Sequence, residues 1–340
     1  MLPGQVTPNG VDGSCVLTRS EPSDPEARPN REVVTTMQQD NASASRASSA
    51  HLLPCACKIC GYQTESPDPR DLGRVRGNTA RFLETHFHLW RCPECRSIHA
   101  LDPVDFRDIY SDYALSKRRL DVFARGTLRN LLKRLERAGV RKTDAILDYG
   151  CGTGLFVRFL NQSGFSAVTG YDPYVGEFDK LPADRLFDCV IANDVIEHVA
   201  DPRSMVHECA SLVRPGGLLY IGTADAEGVE MDRLDSQIMR LHQPFHRIIL
   251  TRDGLTRLGA ESGFELVRGY RRSYMDTWIP FANYRFLDEF NGALGHNLDL
   301  ALDPSAASIV ARKPSLLLYA FFGYLAPSAY EPALVLRKPQ

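Results

Sequence analysis

The stretch Ala145-Ile-Leu-Asp-Tyr-Gly-Cys-Gly-Thr-Gly-Leu-Phe156 decides how this chain is read. A short apolar run ends in Asp148 and opens into a turn that carries Gly150, Gly152 and Gly154. Beyond the turn, Leu155, Phe156, Phe159 and Leu160 recur at helical spacing. That order spells a buried strand, a tight turn and a helix start. Glycine suits such a turn because it tolerates positive φ and leaves no Cβ between the backbone and a ligand. The helix start offers free N–H groups to a carboxylate or phosphate. A dinucleotide fingerprint needs its third glycine at position 155, which is Leu155, so the spacing argues against NAD.

Working outward, 340 residues leave room for one large domain and a small one. A formal net charge of −2 gives no electrostatic footprint for nucleic acid or an anionic membrane. Nine cysteines without a secretory signal point to reduced thiols and a metal site rather than a disulfide framework. No apolar stretch has the length of a membrane-spanning helix, and the expected compartment is the cytoplasm.

Residues 1–53 are rich in Ser, Ala, Pro and Asn without helical or strand periodicity, and read as a disordered tail. Residues 54–102 carry Cys57-x-x-Cys60-Gly61 and Cys92-x-x-Cys95, two knuckles able to set four thiolates around a structural Zn²⁺. Cys55, His86 and His88 are spare ligands, and free thiols or a redox pair are the other readings. A helical cap over 103–142 contains an apolar stripe from about Ala114 to Ala138. The core spans 143–340, with an aromatic-rich insertion at 273–329 suited to a lid or substrate pocket. The apolar run Leu316-Leu-Leu-Tyr-Ala-Phe-Phe-Gly-Tyr-Leu325 reads as a buried helix, with a membrane contact or a homodimer interface left open.

After the glycine turn, Ser166-Ala-Val-Thr-Gly-Tyr-Asp172 reads as a second strand ending in an acid. About 20 residues past a glycine turn, such an acid can accept hydrogen bonds from ribose hydroxyls. A turn-capping Asp before Pro173 is the alternative. Phe187-Asp-Cys-Val-Ile-Ala-Asn193 is the next strand, with Asn193 and Asp194 at its carboxyl end. With a helix begun by Asp194, Asp194, Glu197 and His198 would share one face.

The pattern Asp148-x-Gly150-x-Gly152-x-Gly154 resembles motif I of the class I S-adenosylmethionine (SAM)-dependent methyltransferases. The segment 193–202 is similar to motif IV and its continuation in small-molecule methyltransferases, and 212–223 to their Pro-Gly-Gly turn and fifth strand. The C-x-x-C-G, C-P-x-C and Tyr110-x-x-Tyr113 layout resembles that of sugar C-methyltransferases. The resemblance implies a doubly wound, Rossmann-like sheet of seven strands. It implies SAM held by Asp148, Gly150, Gly152, Gly154, Asp172, Asn193, Asp194 and Tyr113, and methyl transfer to a small-molecule acceptor. Tyr110 and Tyr113 would cover SAM or substrate, or else pack the helix on the core. His242 and His246 are the general-base candidates, in a loop that overhangs the methyl in related enzymes. An acid-x-x-Glu-His pattern holds a divalent metal in some O-methyltransferases, so Mg²⁺ at Asp194, Glu197 and His198 is the rival reading. Asp179 is the candidate for adenine, although the interval before Phe187 is short. A non-catalytic SAM-fold and ribbon module is the rival class.

Overall fold

The computed structural model describes residues 54–340 apart from 112, 114, 116, 117, 183, 328 and 329, with only the backbone at Tyr330. The expectation for 1–53 lies outside the described residues. Strands β1 (Cys55–Ala56), β2 (Gln63–Thr64), β3 (Leu72–Arg76), β4 (His86–Arg91) and β5 (Ile98–Ala100) come first. Helices α1 (Phe106–Tyr110) and α2 (Val122–Arg137) lead to β6 (Ile146–Tyr149), α3 (Leu155–Gln162), β7 (Val168–Tyr171) and β8 (Phe187–Asn193). Then follow α4 (Pro202–Leu212), β9 (Val213–Gly222), α5 (Ile238–Leu241), β10 (Ile248–Ile249), α6 (Arg252–Glu261) and β11 (Glu265–Arg272). Four short helices, α7 (Tyr284–Ala293), α8 (Leu298–Ala301), α9 (Ser308–Arg312) and α10 (Ser315–Phe322), precede β12 (Tyr330–Arg337).

The main sheet runs β11-β12-β9-β8-β6-β7. β7, β6, β8 and β9 are parallel, and β12 is antiparallel to both β9 and β11. The sequence implies seven strands, whereas the sheet among the described residues has six. The missing element is an edge strand beyond β7. Asp172 N donates to Phe178 O and Phe178 N to Val175 O, so the segment folds back on itself. It is too short for the crossover of a dozen or more residues that a further parallel strand needs. Chain order reverses on either side of β6, and open α/β sheets bind ligands at the carboxyl ends of the strands there.

Helix α2 starts later than its apolar stripe suggests. Asp121 is its N-cap, accepting from Ala124 N, and Gly139 ends it with φ +103°. Leu128, Leu131, Leu132 and Leu135 are buried against Phe156, Phe159 and Leu160 of α3. Burying each of these leucines contributes about 1.5–3 kcal/mol, so the stripe pins the cap to the sheet.

A second sheet, β10-β5-β4-β3, contains the strands around the cysteines, and its fourth strand comes from far down the chain. Ile248 pairs with His99 and Ile249 with Ile98. Its inner face, with Val75, Leu89, Ile98 and Ile249, packs on Leu234, Ile238 and Leu241.

The expected buried helix at 316–325 is buried along one stripe only. Leu316 and Ala320 pack with Phe286, while Leu317, Leu318, Phe321, Phe322 and Leu325 are exposed. Among the described residues no helix is long and apolar enough to cross a membrane.

Candidate functional site

The glycine turn sits at the carboxyl end of β6. Gly150, Gly152 and Gly154 have φ of +77°, +52° and +73°, values that side chains with a Cβ avoid. The three differ in what a Cβ would meet. At Gly150 it would lie 2.4 Å from Val195 Cγ2, and at Gly154 2.7 Å from Phe178 Cζ. At Gly152 it would meet nothing within 4 Å. Gly152 therefore faces open space, as a cradle for a ligand requires.

Asp172 lies beside this turn, its Oδ2 accepting from Gly152 N at 2.9 Å and its Oδ1 from Tyr174 N at 2.9 Å. It thus caps the turn as well as facing it. Asp148 is buried beneath the turn, and burial followed by repulsion from Asp172 pushes its carboxyl up to about 7. Asp179 is exposed.

At the end of β8, Asp194 adopts φ +56°, and its Oδ2 accepts from Asn193 Nδ2 at 2.8 Å and from Tyr274 Oη at 3.1 Å. Burial raises the Asp194 carboxyl to about 6 against these bonds. The helix-face arrangement of Asp194, Glu197 and His198 is not formed. α4 begins only at Pro202, capped by Asp201, because a left-handed Asp194 turns the chain out of helical geometry. Glu197 is buried, with Oε1 accepting from Ala224 N at 3.2 Å, and burial and then Asp194 raise its carboxyl to about 8.

Three histidines meet next to this point. His246 lies with ring centroids 4.9 Å from His198 and 5.0 Å from His242. His246 Nδ1 is 3.1 Å from the Arg240 carbonyl and His198 Nδ1 is 3.1 Å from the Phe245 carbonyl. A carbonyl only accepts, so His246 carries its proton on Nδ1 and keeps a lone pair on Nε2. Tyr110 Oη lies 2.8 Å from His198 Nδ1, and Tyr113 Oη 3.0 Å from His242 Nε2. Burial lowers His198 to about 4, His242 to about 3 and His246 well below its ordinary value. All three are neutral near pH 7, the state in which an imidazole accepts a proton. Tyr110 and Tyr113 keep theirs, since burial raises both hydroxyls.

Away from the glycine turn, the sulfurs of Cys57, Cys60, Cys92 and Cys95 lie within 4.8 Å of one another, with Cys57–Cys95 at 3.4 Å and Cys60–Cys92 at 3.5 Å. His86 and His88 are exposed on β4, and His88 pairs with Asp102. The Cys95 sulfur and then burial hold the Cys57 thiol above its ordinary value. A divalent cation is what allows four such neighbours to ionise together, and a four-sulfur set suits zinc.

The structure thus brings His242 and His246 together with Tyr110, Tyr113 and Glu197 beside the end of β8. It also adds residues that the sequence did not single out. Asn78 reaches His242 from the turn after β3, with Oδ1 2.8 Å from Nδ1, and Phe245 stacks on that ring at 4.8 Å. Phe245 directly precedes His246 in the sequence, a single aromatic residue between the two histidines that no periodicity singles out. Nothing local marks Asn78, which is far away in sequence.

The family model described as a methyltransferase domain matches residues 117–268. The ubiquinone biosynthesis O-methyltransferase of Salmonella arizonae is 32% identical over 119 residues, covering 27% of this chain and 48% of that protein. The enzyme of the same name from Klebsiella pneumoniae is 32% identical over 116 residues, again covering 27% and 48%. The chain therefore spans about half the length of the curated relatives it matches. The magnesium protoporphyrin IX methyltransferase of Synechocystis, solved with bound SAM, is 15% identical at a TM-score of 0.40, over 70% of this chain and 99% of that one. The matched segment runs from just before α2 into β11, a little under half of the chain, and takes in the glycine turn at the switch point of the sheet; over that segment the chain is similar to a methyltransferase domain.

Proposed function

We propose that the chain moves the methyl group of SAM onto a small-molecule acceptor, with a neutral histidine taking the acceptor's proton. The observation that carries this reading is the open face at Gly152, set between Asp172 and the buried Asp148. The turn 150–154 would bind the amino-acid end of SAM, Asp172 the ribose, and Asn193 and Asp194 the side nearer the acceptor. Bound SAM supplies an electrophilic methyl on a sulfonium. The protein's task is then alignment and exclusion of water, since proximity alone lowers such a barrier by several kcal/mol. His246 presents an unshared Nε2 pair, and His242 faces the Tyr113 hydroxyl. His246 can receive directly, and His242 through the Tyr113 hydroxyl, the proton that an acceptor hydroxyl or acidic C–H must lose. The relatives are O-methyltransferases of ubiquinone biosynthesis, so a hydroxyl is the first acceptor to assay. The test is methyl transfer from radiolabelled SAM to a catechol, with His246→Ala and His242→Ala. Loss of turnover with SAM affinity kept supports the base.

A second reading has one specific support. Ligand atoms of Glu197, His198 and His246 lie within 4.8 Å of one another, and His246 turns its Nδ1 proton to a backbone carbonyl, as a metal-bound imidazole does. These groups could hold Mg²⁺ or Mn²⁺ to polarise an acceptor oxygen. The four cysteines would hold a structural zinc, leaving no open position for chemistry.

A further inference from the structure

Two separate devices tie the histidine loop to the cysteine module. β10, which starts two residues after His246, is the fourth strand of the cysteine-side sheet. From the opposite edge of that sheet, the turn after β3 sends Asn78 against His242. Asn78 is fully buried, at 0% exposure, and its own carbonyl is clamped by Leu298 N at 2.8 Å. Its Oδ1 meets His242 Nδ1 at 2.8 Å, and its Nδ2 faces the Met239 sulfur at 3.7 Å. The amide orientation follows from these neighbours. A thioether sulfur accepts a hydrogen bond weakly and donates none, so the NH₂ belongs on its side and the oxygen on the imidazole's. The imidazole must then donate from Nδ1, and its Nε2 accepts the Tyr113 hydroxyl at 3.0 Å.

We propose that Asn78 is the positioning residue of this site, accepting Nδ1–H of His242 and so fixing the neutral tautomer whose Nε2 pair is aimed at Tyr113. The inference deepens the methyl-transfer reading and rests on it only for its purpose. The logic matches that of the acid in a hydrolase triad, which orients its histidine and selects the tautomer. Here the acceptor is an uncharged amide. A carboxylate in the same buried position would favour the imidazolium, which has no lone pair to offer, whereas an amide orients the ring and leaves it neutral.

The test is nitrogen NMR of the full chain labelled in histidine, with His242→Gln assigning the ring. The expected wild-type spectrum has the His242 proton on Nδ1 and a bare Nε2. Asn78→Leu should lose that pattern, the proton moving to Nε2. Asn78→Asp should keep the proton on Nδ1, because its oxygen still accepts. A His242 proton on Nε2 alone in the wild type would overturn the proposal, as would an unchanged pattern in Asn78→Leu or loss of the Nδ1 proton in Asn78→Asp. Should Asn78→Leu not fold, the wild type and Asn78→Asp still decide. Absence of SAM binding by calorimetry would count against the methyl-transfer reading alone, since the tautomer is read without SAM.

Discussion

The Thr251 hydroxyl donates to the Cys95 carbonyl at 3.0 Å, so the second cysteine knuckle holds the residue that caps α6, just beyond the histidine loop. Metal at the knuckles and order in the loop should therefore fall together. Elemental analysis should find about one zinc per chain, as a four-thiolate site requires. Cys60→Ser should cost several kcal/mol of stability, because binding free energy at such a site is folding free energy. Metal-free protein with an unchanged melting temperature would contradict the zinc site.

Asp148 gives a pH dependence of definite sign. Its folded value of about 7 stands above the roughly 3.9 of an unfolded Asp. Between about pH 4 and 7 the unfolded chain has released this proton while the folded chain retains it, so stability falls as pH rises through that window. Asp148→Asn should remove the slope and be the more stable form at about pH 8 by up to a few kcal/mol, the two converging near pH 4. Denaturant titrations at both ends check this, and parallel curves would refute the buried carboxyl.

The base and the metal readings part on chelation. With a histidine base alone, EDTA leaves turnover intact in protein that keeps its zinc. With a cation at Glu197, His198 and His246, activity vanishes and returns with Mg²⁺ or Mn²⁺, and Glu197→Gln abolishes the rescue. Circular dichroism must accompany the assay, because chelation can also strip the cysteines.

The local signals in this chain were legible and the long-range ones were not. The strand, turn and helix around Gly150–Gly152–Gly154 follow from apolar periodicity and glycine chemistry, and the paired knuckles from cysteine spacing. The missing seventh strand was foreshadowed by the short interval after Asp172, which makes the one crossover from β7 to β8 and has no length for a further strand and a second crossover. Reading Asp194 and Glu197 as helical failed because a left-handed residue cannot be seen in an Asp. Asn78 and the β5–β10 pairing were invisible, since neither periodicity nor composition records which distant segments meet.

Two neighbouring glycines should behave differently. Gly150→Ala drives a Cβ to 2.4 Å from Val195 at φ +77°, and should cost about 2–5 kcal/mol from strain and overpacking. Gly152→Ala meets no atom within 4 Å and should cost only the roughly 1–2 kcal/mol of its left-handed backbone. Equal losses in thermal denaturation would mean that Gly152 does not face open space.

Calorimetric titration of SAM tests the central claim most directly. The wild type should bind saturably. Gly152→Val, whose side chain fills the open face of the turn, should remain folded and lose about a hundredfold or more in affinity, near 2.7 kcal/mol. A wild type that does not bind SAM, or a folded Gly152→Val that binds it equally well, would contradict the account.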